Sequence, residues 1–183
     1  MLQYRRNNAL GLILAGCLFM GGLFFLGLSV FGRNDKIIFY FSVFCMVTSY
    51  RMIGTESYVL HTLFPNLSWF VGVRLEYLTL VIGVALFSQY TRMLYPKDTK
   101  QVLMKGVIYL CLLYALIILF LSPLIFTSLL NYFLVVMFVY IAYALYIYVQ
   151  AVIHKRNGAV YALLSSGIML IVYLMVNLQH FNV

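Results

Sequence analysis

Six long apolar stretches constrain this chain more than any other feature. A helix needs about 20 apolar residues to cross the roughly 30 Å of hydrocarbon in a membrane, and runs of this kind recur along the whole sequence. With 65% hydrophobic and 9% charged residues, the chain also lies far from the composition of a soluble globular domain. We therefore predict an all-α fold, a polytopic bundle of transmembrane helices. We expect a single membrane domain over residues 1–183, with no soluble domain.

Short gaps separate the predicted spans. The spans cover residues 9–31, 37–55, 69–94, 103–121, 127–153 and 159–178. Pro65, Pro96 and Pro123 all fall between spans, where the missing N–H of proline costs no helical hydrogen bond. Because several gaps are only a few residues long, consecutive helices are expected to be antiparallel neighbours.

Lys and Arg residues are concentrated in alternate gaps. The first, third and fifth gaps, with their flanks, carry eight of the twelve basic residues, and the second and fourth carry none. The eight are Arg33, Lys36, Arg92, Lys97, Lys100, Lys105, Lys155 and Arg156. Cytoplasmic loops of membrane proteins are rich in Lys and Arg, so the three basic gaps are predicted to be cytoplasmic and both termini outside. Arg5 and Arg6, ahead of the first span, disagree with this orientation.

The positions of the charges and cysteines also limit the partners. The formal charge of +8 is confined mainly to short turns, which fits a topology signal and membrane lipids rather than nucleic acid. Cys17, Cys45 and Cys111 are odd in number and lie inside apolar stretches without metal-ligand spacing, so we expect packing thiols. The three histidines have no metal spacing either, and no catalytic or cofactor motif is present. We expect no metal, no cofactor and no enzymatic activity.

The first span admits two alternatives. Leu14 to Cys17 resembles the cleavage box of a bacterial lipoprotein, but the apolar run before it is short, and the run after it continues to Phe31. An uncleaved first span fits better. The span is also rich in glycine, which allows another helix to approach closely, either within the chain or in a homodimer.

Four charged residues stand at or within the outer halves of the second and third spans. They are Arg51, Glu56, Arg74 and Glu76. Ionisable groups at such depth are expensive and are candidates for function. At about 1.5 Å per residue, Arg51 and Glu76 reach similar depths and could pair, with Glu56 available to Arg74.

Arg74 and Glu76 point about 200° apart on one helix, so at least one of them needs another partner. His61, Asn131 and Asn177 are the candidates within the chain, besides a further helix or a ligand. The network either holds the helices together or acts as a switch. Both interpretations remain open at this point.

Several short stretches resemble the membrane domain of the bacterial seven-transmembrane receptors with diverse intracellular signalling modules. They are YRMIGTE at residues 50–56, LFPNLSW at 63–69, RLEYL at 74–78 and LYPK at 94–97, and the resemblance extends from about residue 27 to the end. It implies an extracellular ligand-binding domain, seven helices and a cytoplasmic output domain. The chain has six predicted spans, so we expect a fragment or truncated member that lacks the last helix.

The resemblance therefore predicts a sensory, signal-transducing module in a bacterial cytoplasmic (inner) membrane. It would relay an extracellular signal by helix rearrangement to a cytoplasmic output domain or partner outside this chain. A small transporter or membrane binding subunit is the alternative, although no pair of Gly- or Pro-broken helices occurs in corresponding halves. An intramembrane enzyme ranks third, because no catalytic set is recognisable.

Overall fold

Long helices make up the computed structural model of the chain. It describes residues 2–32, 35–55, 69–165 and 167. The helices are α1 (Leu2–Phe31), α2 (Lys36–Thr55), α3 (Trp69–Leu94), α4 (Gln101–Phe120) and α5 (Pro123–Ile153). A further helical segment begins at residue 159. These ranges contain no strand, and the predicted all-α class is confirmed.

Among the described residues, four helical segments are long and apolar enough to cross a membrane. They are Leu12–Phe31, Phe70–Leu94, Gln101–Phe120 and Pro123–Ile153. The predicted count of six is larger than these four. Most of the predicted sixth span, 159–178, lies outside the described residues.

Four helices begin earlier than the sequence predicted, and α1 and α5 do so by several residues. α1 begins at Leu2 instead of residue 9, and α5 begins at Pro123 instead of residue 127. Pro123 is thus the first residue of a helix and not part of a linker. Proline suits this position because its φ is already helical and the first N–H groups of a helix have no acceptor within it. The Ile125 N–H donates to the Ser122 carbonyl at 3.1 Å and begins the first turn.

The chain forms two compact units. The first comprises Met1–Leu94 and Gln101–Ser128, and the second comprises Tyr95–Lys100 and Leu129–Val183. Within the first unit, α1 packs on α2, α2 on α3, and α3 on α4. The second unit is built from the 95–100 loop and most of α5.

Small side chains let α1 and α2 approach closely. Ala15, Gly22 and Ser29 are buried and lie seven residues apart, which places them on one face of α1. Ser49 of α2 donates to the Ala15 carbonyl at 2.6 Å. A Cβ added at Gly22 would lie only 3.2 Å from the Ser42 carbonyl oxygen, so a larger residue would force its neighbours on α2 to move by a few tenths of an ångström.

Aromatic side chains connect α2 with α3. Phe44 and Phe87 have ring centroids 5.6 Å apart, and Phe41 and Tyr90 have centroids 5.4 Å apart. Ser88 is fully buried on α3, and its hydroxyl donates to the Val84 carbonyl within the same helix. Its polar group is therefore satisfied without another helix.

The buried face of α4 repeats every seven residues through Met104, Cys111 and Ile118. Tyr114 lies on the same side and donates from its hydroxyl to the Phe126 carbonyl at 2.7 Å. The Phe126 ring also meets Tyr77 of α3 in an edge-to-face contact, with centroids 5.1 Å apart. These contacts hold α3, α4 and the start of α5 together within the first unit.

In the second unit, α5 ends in a Schellman motif. The Lys155 N–H donates to the Val152 carbonyl at 2.9 Å, and the Arg156 N–H donates to the Ala151 carbonyl at 3.0 Å. Lys155 has a φ of 50°, the left-handed conformation that glycine usually supplies at this position. The turn continues to Gly158, whose φ of 74° suits its lack of a side chain.

Candidate functional site

Arg74 joins α3 to the end of α4. It lies in the second turn of α3, and its guanidinium group donates from Nη1 to the Leu119 carbonyl at 2.8 Å and from Nη2 to the Leu121 carbonyl at 3.1 Å. We call Arg74, Phe70 and these two carbonyls the Arg74 site.

The two acceptors explain why a cation fits at this point. The last four carbonyls of a helix have no N–H partner within the helix, and they form the negative end of its dipole. The last turn of α4 contains no basic residue of its own. Arg74 therefore supplies, from the neighbouring helix, both the hydrogen bonds and the positive charge that this end of α4 lacks.

Phe70 covers the other side of the guanidinium group. It lies one helical turn before Arg74, and the Cζ atom of Arg74 is 4.2 Å from the centroid of its ring. Such a contact stabilises the cation through the negative face of the aromatic ring. The Nε of Arg74 is buried and has no hydrogen-bond partner among the described residues. One donor of the group therefore remains unused in this arrangement.

Arg51 and Glu76 lie part-buried on α2 and α3, and both are engaged in interactions within the structure. The Glu76 carboxylate acts electrostatically on Tyr50, the neighbour of Arg51 on α2. Arg74 is directed towards α4. The predicted Arg51–Glu76 pair stays a prediction.

A second cluster of charges surrounds Asp98, within the second unit. The Asp98 carboxylate is only 5% exposed; its Oδ1 lies 2.7 Å from Nδ1 of His154 and its Oδ2 lies 3.3 Å from Nε of Arg156. Because an ionised carboxylate only accepts hydrogen bonds, both nitrogens donate to it. We call these three residues the Asp98 cluster. It ties the 95–100 loop to the turn that ends α5.

Neighbouring groups fix the 95–100 loop further. Thr99 donates from its hydroxyl to the Tyr95 carbonyl at 2.6 Å, and the Lys100 N–H donates to the Tyr143 hydroxyl at 3.0 Å. The Tyr95 ring packs edge-on against Tyr148 of α5, with centroids 5.8 Å apart. Burial raises the pKa of the Tyr95 hydroxyl, and the nearby negative charge of Asp98 raises it further. Tyr95 is thus a neutral packing residue at physiological pH.

A family model described as 7TM diverse intracellular signalling matches residues 7–183 of this chain. The chain belongs to this family. No curated protein and no solved structure gives a significant match. The match also includes most of α1, which precedes the stretches that carry the sequence resemblance. The family and the apolar helices together make the chain a multi-pass membrane protein.

In this member of the 7TM diverse intracellular signalling family, several predicted network residues lie outside the described part of the chain. They are Glu56, His61 and Asn177. Asn131 is described, and its side chain is exposed on α5. Within residues 2–32, 35–55, 69–165 and 167, no group of His, Cys, Asp or Glu side chains could hold a metal ion.

Two parts of the site escaped the sequence analysis. The carbonyls of Leu119 and Leu121 have no sequence signal, because every residue carries a backbone acceptor. Asp98 was not among the predicted site residues, yet its side chain is almost completely buried. The signal that could have revealed it was the presence of one acidic residue in a loop that is otherwise basic.

Proposed function

We propose that this chain is the sensory, signal-transducing membrane module of a bacterial receptor, and that it relays an extracellular signal by rearrangement of its helices. Membership of the 7TM diverse intracellular signalling family supports the signalling role. The relay needs an element with two arrangements that a signal can bias. The Arg74 site is our candidate for this element.

The proposal rests on the hydrogen-bond partners of Arg74, which are two backbone carbonyls. A guanidinium group on two neutral carbonyls is held less strongly than one in a bidentate pair with a carboxylate. A carboxylate brought near by a moving helix or an acidic ligand can therefore displace the carbonyls of Leu119 and Leu121. The end of α4 would then be released from α3, and a signal would become a change in helix packing.

The rest of the proposal extends the expectations from the sequence. The module performs no catalysis of its own and lies in the bacterial cytoplasmic membrane. It passes its signal to a cytoplasmic output domain or partner outside this chain, alone or as a homodimer. The intramembrane charges Arg51, Glu56, Arg74 and Glu76 form the network that changes partners during the relay.

Spin labels can test whether α3 and α4 adopt two arrangements. Val71 and Phe120 are exposed on α3 and α4, at the ends of these helices that Arg74 joins. Each would be changed to cysteine in a background without Cys17, Cys45 and Cys111, and the distance distribution between the labels would be measured in lipid nanodiscs. We expect Arg74→Gln to shift the population towards a longer distance.

Arg92→Gln is the matched control, because it removes an arginine from the last turn of the same helix. It should leave the distribution between positions 71 and 120 unchanged. One narrow, identical distribution in the parent and in Arg74→Gln would contradict the relay. Substrate-dependent uptake into vesicles containing the purified chain would favour the transporter instead.

A further inference from the structure

The Asp98 cluster brings two basic segments together at one end of the second unit. Lys97 and Lys100 flank Asp98 in the 95–100 loop, and Lys155 lies between His154 and Arg156 in the turn after α5. All three lysines are exposed. The only acid in these two segments is Asp98, and its charge is already occupied by His154 and Arg156. The surface presented outward is therefore strongly positive.

Both segments of this positive surface directly follow candidate membrane spans. The 95–100 loop directly follows the candidate span Phe70–Leu94, and the 154–158 turn directly follows the candidate span Pro123–Ile153. Segments that immediately follow a span lie at the level of the lipid headgroups. Lysines at that level attract anionic lipids.

The backbone of Lys155 gives independent support. Its φ of 50° is costly for a residue with a side chain, and glycine would occupy this position of a Schellman motif without strain. Strained residues of this kind persist where their side chain has a use. Arg156 adds a further positive group: its Nε donates to Asp98, its side chain remains 38% exposed, and its Nη groups make no other hydrogen bond with the described residues.

We propose that the 95–100 loop and the turn after α5 bind the phosphate headgroup of an anionic phospholipid. Lys97, Lys100 and Lys155 supply the charges, and Arg156 contributes its Nη groups. Asp98 is a positioning residue, which holds the two segments together through His154 and Arg156. The site is independent of the proposed relay through Arg74.

Native mass spectrometry of the full chain in detergent, titrated with phosphatidylglycerol or phosphatidylcholine, tests the proposal. We expect preferential binding of phosphatidylglycerol, and a loss of about tenfold or more in its affinity for the double variant Lys97→Gln/Lys155→Gln. The matched control, Lys36→Gln/Lys105→Gln, removes the same charge from two other exposed lysines and should have a much smaller effect. Equal losses in both double variants, or no loss in either, would overturn the site.

Asp98→Asn separates the built site from simple charge attraction. If only net charge mattered, removing this carboxylate would strengthen the binding of an anionic lipid. If Asp98 holds the two segments together, the affinity for phosphatidylglycerol falls. An increase would overturn the positioning role. Should Asp98→Asn fail to fold, as judged by gel filtration and helical circular dichroism, the two lysine double variants still decide the proposal.

Soluble glycerol 1-phosphate distinguishes a lipid from a free anion. It carries the phosphate and glycerol of the headgroup as a phosphate monoester, without acyl chains, and it should not raise the thermal stability of the chain at concentrations at which phosphatidylglycerol does. A shift of equal size with glycerol 1-phosphate, lost in Lys97→Gln/Lys155→Gln, would replace the lipid with a soluble phosphate ligand and overturn the proposal.

Discussion

Arg74 shows how one part-buried cation can be held by backbone carbonyls. Its two hydrogen bonds go to carbonyls that the end of α4 leaves without donors, and Phe70 covers the guanidinium face. The guanidinium group supplies donors and positive charge to the end of α4, and the carbonyls there supply acceptors to the guanidinium group. Arg74 provides this positive charge from α3, because α4 has no basic residue in its own last turn.

Arg74→Gln should therefore reduce stability as well as alter helix packing. Hydrogen bonds that involve a charged group contribute about 1.5 to 3 kcal/mol, and we expect a loss of about 2 kcal/mol in the free energy of unfolding. Arg74→Lys should lose less stability than Arg74→Gln, because it keeps the positive charge. It should still be less stable than the parent, because lysine lacks the guanidinium fork that reaches two carbonyls. Denaturation of the purified chain in detergent measures both, with Arg92→Gln as control. Equal stability of Arg74→Gln and the parent would contradict this account.

Lys155 is expected to lower the stability of the chain while its side chain contributes to lipid binding. Because its φ of 50° strains any residue except glycine, Lys155→Gly should stabilise the chain by about 0.5 to 1 kcal/mol. The same change should weaken the binding of phosphatidylglycerol, so stability and binding move in opposite directions. Gly158→Ala, at a φ of 74°, should lower stability and provides the opposite control. Unfolding and lipid titration on one set of samples measure both effects.

At the scale of the helices, close approach determines packing. α1 presents Ala15, Gly22 and Ser29 to α2, and a serine of α2 donates to a carbonyl of α1. Small residues matter here because lipid provides no hydrophobic drive for helix association, and only backbone proximity gains packing and hydrogen bonds. The other glycines of α1 do not all serve this contact. A Cβ at Gly16 would meet nothing within 4 Å.

Leucine substitutions distinguish these two glycines. Gly22→Leu should destabilise the chain by about 1 to 3 kcal/mol, because its side chain must displace the Ser42 backbone or Met46. Gly16→Leu adds the same side chain in open space and should be nearly neutral. Unfolding in detergent measures the difference. Similar losses in both variants would indicate that the face of α1 bearing Gly16 is also packed, as in a homodimer.

The sequence predicted the helices better than the contacts between them. The apolar run predicts a span at 69–94, and α3 has the same bounds because more polar sequence adjoins both of its ends. Pro123 was misassigned because proline is equally at home between helices and at the first position of one. The partners of Arg74 and the burial of Asp98 depend on tertiary packing. Local sequence patterns do not indicate which carbonyls or turns will be adjacent in the fold.

At the scale of the whole molecule, the alternating basic gaps define an orientation that the structure makes testable. Asp35 and Lys97 lie in two gaps predicted to be cytoplasmic, whereas Ser122 lies in a gap predicted to be outside, and all three are exposed. None of the three side chains takes part in the hydrogen bonds of the Arg74 site or the Asp98 cluster, so each position suits a single cysteine. Both internal thiols at positions 45 and 111 are buried, and Cys17 is exposed, so all three would first be replaced.

A membrane-impermeant thiol reagent applied to intact cells should label Ser122→Cys and leave Asp35→Cys and Lys97→Cys unlabelled. The Lys and Arg count favours this result, because loops rich in these residues remain in the cytoplasm. Permeabilised cells provide the control, in which all three positions should react. The reverse pattern would place the Asp98 cluster outside and the joined ends of α3 and α4 inside. An external ligand could then no longer act directly at Arg74, and the relay would have to begin at the other end of the helices.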